Sequence, residues 1–287
     1  MSQDTPFDRR LRRLRRDRAA NADAEGRYLL RLAADELVER LDLVKREFRN
    51  ALVLGSGDLY LSHRLEALGL EVVSADAGSL SGRAGSVQCD EDRLPFADRS
   101  FDLVASVGVL DSVNDLPGAL TLIRRILRPD GLFMAAIAGA GSLPRLRSAM
   151  LAADGHDGGA ASPRIHPQID IRAAGDLLGR AGFALPVVDS DAVTIRFSSL
   201  MTLVSDVRAC AATNILASRS TVPLGKAALA AAIADFHTTA DADGKTAETF
   251  QILYLLGWAP SPDQPQPARR GSGAQSLAAA LATKPKN

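Results

Sequence analysis

The sequence predicts a doubly wound α/β fold on a mostly parallel sheet, and three observations carry that expectation. The apolar run Ala51, Leu52, Val53, Leu54 passes straight into Gly55-Ser56-Gly57, then into an amphipathic stretch with Leu61, Leu65 and Leu68 at helical spacing. A buried parallel strand reads as a continuous apolar run, and the change of period marks the helix that follows. A second run, LEVVSADAG, ends on Asp76, nineteen residues after Gly57. An acid at that offset is placed to take both hydroxyls of a ribose. Strand and helix patterns then continue to alternate as far as about residue 140, the signature of a doubly wound sheet.

The totals narrow the class. The chain has 287 residues with 46% hydrophobic content, enough for one good-sized domain with attachments. Its 34 basic and 34 acidic residues cancel, so no global field draws it to nucleic acid or membrane. Apolar runs fall short of the roughly 18 residues a membrane span needs, and no cleavable apolar leader is legible at the N-terminus. Cys89 and Cys210 show neither metal-ligand spacing nor a disulfide framework. The expected compartment is the cytoplasm, with peripheral attachment at the inner membrane face as the variant.

In chain order, residues 1–48 read as a basic arm followed by a helix. The string DRRLRRLRRDR carries seven arginines. Such a run reads as a solvated helix face, as a clamp on an acidic protein surface, or as weak adhesion to anionic lipid. No aromatic residue is interleaved with it, which argues against nucleic acid. Residues 26–48 place Leu30, Ala34, Leu37, Leu41, Val44 and Phe48 on one helical face, expected to pack beside the first strand. Residues 49–258 read as one domain. Its core, 50–140, has strands near 51–54, 71–75, 86–89, 102–107 and 132–138. A helix capped at Asn114-Asp115 buries Leu116, Leu120, Ile123 and Leu127 and stops before Pro129-Asp130-Gly131. Residues 141–240 hold a glycine-rich flap around a short helix, a helix capped by Asp170, the strand-like FALPVVDSDAVTIRF, and helices near 199–212 and 223–237. The last strand is 248–258. The segment 259–287, rich in proline and glycine, reads as an exposed tail.

Ligands of such sheets lie outside the carboxyl ends of the strands. Gly55, Ser56, Gly57, Asp76, Asp90, Ser106 and Val107 are the residues expected to face that crevice. A lone Gly-x-Gly is equally an ordinary strand-to-helix turn, and the acid at 76 favours the nucleotide reading.

The string CDEDRLPFADRSFDLVASVGVLDSVNDLPGALTLIRRILRPDGLF resembles class I S-adenosylmethionine-dependent methyltransferases. The flanking strings PFDRRLRRLRRDRAA, SPRIHP, LLGRAGFALPVVDSD, ACAATN and QILYLLGWAP, with PARRGSG beyond, narrow it. They resemble the respiratory complex I assembly factor that hydroxylates an arginine, a branch related to the biotin-pathway malonyl-carrier-protein methyltransferase. The resemblance covers nearly the whole chain. It implies a Rossmann-like, mostly parallel seven-stranded sheet with an N-terminal helical arm and a helical insertion before the last strand. It also implies S-adenosylmethionine as cofactor and a complex I subunit as protein partner. By the family pattern, Gly55 and Gly57 back the methionine moiety and Asp76 takes the ribose hydroxyls. Asp90 reaches the adenine amino group, with Glu91 contributing backbone beside it. Three positions depart from the pattern. Val53 stands where an acid is usual, Leu59 where glycine is usual, and Asp111-Ser112 where an aromatic or histidine pair is usual. Losing the acid removes a charge-assisted hydrogen bond, typically about 1.5–3 kcal/mol.

Methyl transfer depends mainly on positioning in a site that excludes water, with a base where the nucleophile is oxygen or nitrogen. Asp111, beyond the fourth strand, is the candidate base, and equally a loop cap. Hydroxylation needs an oxidant, and no iron site is legible. His166 with Asp170 could supply part of a two-histidine, one-carboxylate set. His63 lies on a helix face and reads as structural. Arg164 and Asn214 lie in the shared strings and are candidates for the substrate side. Three functions stay open: methyl transfer to a protein or small acid, hydroxylation of a complex I arginine, and a non-enzymatic assembly chaperone that keeps the fold.

Overall fold

The computed structural model describes residues 5–21, 25–55, 57–79, 86–156 and 161–264. Ser56, and most of the expected tail with its PARRGSG string, lie outside the described residues.

Strands β1 (Asn50–Leu54), β2 (Glu71–Asp76), β3 (Ser86–Gln88), β4 (Phe101–Val107), β5 (Leu127–Ala138), β6 (Ala184–Phe197) and β7 (Thr246–Trp258) form one sheet in the order β3-β2-β1-β4-β5-β7-β6. The pairings among β1 to β5 are parallel, and β7 runs antiparallel to both β5 and β6. The strand order reverses between β1 and β4, so a crevice opens beyond their carboxyl ends. The apolar run of β1 is a central strand: Ala51 to Leu54 are all 0–1% exposed. Val53 is one of them, packed in the core layer beside Leu37 and Leu103. An acid there would need a partner that this apolar setting does not offer.

One face of the sheet is covered by α2 (Tyr28–Asp42) and α3 (Tyr60–Ala67), the other by α4 (Leu116–Ile126) and α6 (Ile171–Arg180). The helix expected to reach residue 48 stops at Asp42. Phe48 still joins the same core layer, because the chain beyond the helix brings it onto Trp258, ring centroids 6.5 Å apart. Helix α4 starts where the sequence places it, with Asp115 accepting from the Gly118 N–H at 2.8 Å. The helix expected in the glycine-rich stretch after β5 is present as α5 (Pro144–His156), 13 residues long. It packs with α7 (Leu200–Ala209) and α8 (Lys226–His237) around Leu146, Leu203 and Phe236.

The largest departure concerns the arm. Helix α1 (Arg9–Ala20) is capped by Asp8 and lies against the domain instead of standing in solvent. Phe7, 5% exposed, anchors its start between Ile215 and Leu216. The Phe7 N–H and carbonyl pair with the side-chain amide of Asn114 at 2.8 and 3.1 Å. Among the described residues, no helix is long and apolar enough to cross a membrane.

Candidate functional site

The crevice starts at the turn after β1. Gly55 has φ +87°, and a Cβ there would come within 2.5 Å of Val109, so only glycine lets this backbone pass. Two residues past Gly57 the chain needs the left-handed region again. Leu59 occupies it at φ 58°, at a cost of roughly 1–2 kcal/mol that glycine would not incur. The departure seen in the sequence is therefore a local strain just before α3.

Beyond the strand tips stands a row of acids. Asp76 ends β2 and is 3% exposed; Asp90 and Glu91 follow β3 at 4% and 1%. Three carboxylates so far from water require partners, and helix α1 supplies them. Arg16 donates from Nε to Asp76 Oδ1 at 2.6 Å and from Nη2 to Asp76 Oδ2. Arg13 donates to Asp90 Oδ2 at 2.7 Å. Arg12 forms two hydrogen bonds to Glu91, 2.8 and 2.9 Å, and Arg9 two to Asp92, 2.7 and 2.5 Å. Spacings of three and four residues put these arginines on one helix face. The clamp on an acidic surface thus exists within this chain. Burial alone would raise the Asp76 pKa; the Arg16 charge and hydrogen bonds and the Gly78 N–H outweigh it and hold that carboxyl below its ordinary value. Burial likewise works against the Arg16 charge, and Asp76 overcomes it.

Several acceptors are left over. Asp90 Oδ1, Ser106 Oγ and Asp111 Oδ1 are buried and have no hydrogen-bond partner. Asp90 and Ser106 stand where the sequence expects adenine and crevice contacts. The donor and acceptor set suits an adenosyl group, with Gly55 giving backbone access, Asp76 two oxygens that Arg16 holds, and Asp90 one oxygen without a hydrogen bond. The Glu91 side chain is held by Arg12, while the expectation for Glu91 concerns its backbone.

Three cavities run inward from this row. The first, about 40 Å³, lies among Arg16, Gly55, Gly57, Val107 and Gly108. The second, about 120 Å³, shares Val107 and Gly108 and reaches Asp111 and Ser142. The third, about 180 Å³, shares Asp111 and ends at Arg164, His166 and Asn214. A surface groove lined by Arg147 and Leu216 meets it at His166.

Asp111 sits in the 3₁₀ turn Leu110–Ser112, and burial pushes its carboxyl pKa up. Burial pushes the His166 pKa down. His166 Nε2 accepts the Ile215 N–H at 3.1 Å, and its ring meets Phe7 edge-on at 5.1 Å. The sequence pairs His166 with Asp170, but Asp170 caps α6 through the Ala173 N–H; the acid that shares a cavity with His166 is Asp111. Among the described residues, no cluster of three His, Cys, Asp or Glu could hold a metal. Arg164 is tied to Asp154 at 2.9 and 2.5 Å, and Asn214 donates to the Pro163 carbonyl at 2.8 Å. Both line the third cavity while carrying structural bonds. His63 is exposed on α3 and joins no site. The role of Arg12 and Arg16 was missed in the sequence, although the opposed basic and acidic runs, RRLRRLRR and DED, were visible.

A five-strand parallel sheet with β7 inserted antiparallel before β6, and an acid at the tip of β2, defines the class I methyltransferase fold. A family model described as a methyltransferase domain matches residues 52–135. The YcgJ protein of Bacillus subtilis shares the fold, with a TM-score of 0.54 over 80% of this chain and 98% of that one at 12% identity. The chain is 34% identical over 286 residues to the zebrafish (Danio rerio) protein named arginine-hydroxylase NDUFAF5, mitochondrial, covering 95% of this chain and 88% of that protein. It is 34% identical over 282 residues to the human (Homo sapiens) protein of the same name, with 94% and 82% covered. This chain belongs to the NDUFAF5 family.

Proposed function

We propose that the protein binds S-adenosylmethionine across the tips of β1, β2 and β3 and modifies an arginine of a protein partner, a respiratory complex I subunit, during assembly. The observation that carries this reading is the buried acids Asp76 and Asp90 at the tips of β2 and β3, beside the strand that ends in the Gly55 turn, supported by near full-length similarity to relatives named arginine-hydroxylase. Asp76 would hold the ribose hydroxyls, Asp90 the adenine amino group, and Gly55 and Gly57 would let backbone approach the methionine end. Ser106 and Val107 would close the floor of that site. When bound, the cofactor supplies a sulfonium carbon open to attack by a nucleophile. The chain's own work is positioning and exclusion of water. An acceptor side chain would enter past His166, between Arg164 and Asn214. Asp111 would accept a hydrogen bond from its N–H groups at the inner end.

The test is co-expression with candidate complex I subunits, followed by intact-mass measurement of each subunit. A gain of about 16 Da marks one added oxygen, and a gain of about 14 Da marks a methyl group. No gain with wild-type protein, or an equal gain with Asp76→Ala, would refute the enzymatic reading. A second reading, a non-enzymatic assembly chaperone, is favoured by one observation: arginines of α1 already satisfy the acid row. It expects the subunit's mass to stay unchanged while its assembly still depends on this protein.

A further inference from the structure

We infer that helix α1 is an internal occupant of the nucleoside site, so that Arg16 must release Asp76 before a ribose can bind there. The inference rests on the assignment of Asp76 made above and adds an order of events to it. Two ribose hydroxyls would donate to the two oxygens of this carboxylate. Both are taken: Oδ1 accepts from Arg16 Nε at 2.6 Å and from the Gly78 N–H at 2.7 Å, and Oδ2 accepts from Arg16 Nη2. The Asp76 side chain is 2% exposed, which leaves no second approach. At the adenine end, Arg13 makes one hydrogen bond, to Asp90 Oδ2, and Oδ1 is left without one. The space remaining beside Arg16 and the glycine turn is about 40 Å³, whereas pockets for small ligands run to some 300–1,000 Å³.

The seat of the helix is specific. Gly78 admits it closely: a Cβ there would stand 3.2 Å from Arg16 Cβ and 2.9 Å from Asp17 Oδ1. Asp17 takes the Ser79 N–H at 2.6 Å and its hydroxyl at 3.0 Å. Opening does not require the whole helix to leave. Its start is fixed by Phe7 and by Arg12, whose side chain is 6% exposed. Arg13 is 48% exposed, and Arg16 is the last arginine of the row that contacts the acids. Release of these two guanidinium groups uncovers the oxygens that a nucleoside uses. A ligand that binds only the open form has its affinity reduced by the fraction of molecules that are open.

Calorimetric titration with S-adenosylhomocysteine tests this on the full chain, with thermal melting to confirm that each variant is folded. Arg16→Gln should tighten binding about tenfold or more, because a charge-assisted, two-bond contact no longer competes. Arg16→Lys, which keeps the charge and loses the fork, should fall between that variant and wild type. Arg18→Gln, an exposed neighbour that leaves Asp76 paired, should match wild type. If wild type binds and Arg16→Gln binds no more tightly, the gate is refuted while the nucleoside site stands. If no variant gives heat at millimolar ligand, both the gate and the nucleoside site are refuted.

Discussion

Arg12 and Glu91 face each other in a two-bond pair, 2.8 and 2.9 Å long, with both side chains at most 6% exposed. The two residues are 79 apart in sequence, and their pairing fastens the arm to the loop after β3. Arg12 also donates to the Val109 carbonyl at 3.2 Å and to Ser112 Oγ at 3.2 Å, so one guanidinium ties α1 to the turns after both β3 and β4. Removing one member of a buried pair strands the other charge, typically at about 3–5 kcal/mol. Glu91→Ala should therefore lower unfolding stability by that amount in urea titrations. Replacing both, Arg12→Met with Glu91→Leu, should recover most of it. A single-variant loss under about 1 kcal/mol would show that water reaches the pair.

Glu248 on β7 is 0% exposed and takes the place of an N-cap for α5. Its oxygens accept the N–H groups of Arg145, Leu146 and Thr249 at 3.2, 2.8 and 2.9 Å. Backbone donors at a helix start favour a carboxylate. Glu248→Ala should cost about 2–3 kcal/mol by the same titration, and Glu248→Gln less. Equal losses for the two would mean that shape, not charge, matters at this position.

The pair Asp111 and His166 should give stability two opposite slopes with pH. Asp111 is held above its ordinary 3.8, chiefly by burial. Unfolding lets it ionise, so its contribution is full below that value and fades as pH rises through the raised one. His166 is held below 6.5. Unfolding lets it take up a proton, so its contribution is full above 6.5 and fades as pH falls. Urea midpoints measured from about pH 4 to pH 8 should lose the first slope in Asp111→Asn and the second in His166→Gln. Unchanged slopes in both variants would place these groups in contact with solvent.

Both cysteine thiols are pushed up to about 12, chiefly by burial. Cys210 and Cys89 should react with iodoacetamide at mildly alkaline pH at least about a hundredfold more slowly in the folded protein than in denaturant, since the thiolate is the nucleophile. Fast labelling of either by mass spectrometry would contradict this, and would point to an open route through the second cavity for Cys210.

The alternation of apolar runs with helical spacing made the sheet readable, because central parallel strands such as Ala51–Leu54 leave no polar residue to blur the pattern. Asp76 was readable through its offset from the glycine turn. The arm was not: seven arginines carry no mark of which partner they meet, and a local window sees a solvated face where the fold brings acids from 60 to 83 residues away. His166 was matched to the nearest acid in sequence, Asp170, while packing joined it to Asp111 across 55 positions. The apolar spacing runs on past Asp42, where the helix ends, because Val44 and Phe48 keep apolar contacts beyond it.

Everything proposed here turns on Asp76 as the carboxylate that Arg16 and a ribose share. Equilibrium binding of S-adenosylhomocysteine to Arg16→Gln, compared with the double variant Arg16→Gln, Asp76→Ala, isolates that residue without the helix in competition. Binding is expected in the single variant and should be lost, by about a hundredfold or more, in the double. Equal affinity in the two would contradict the assignment.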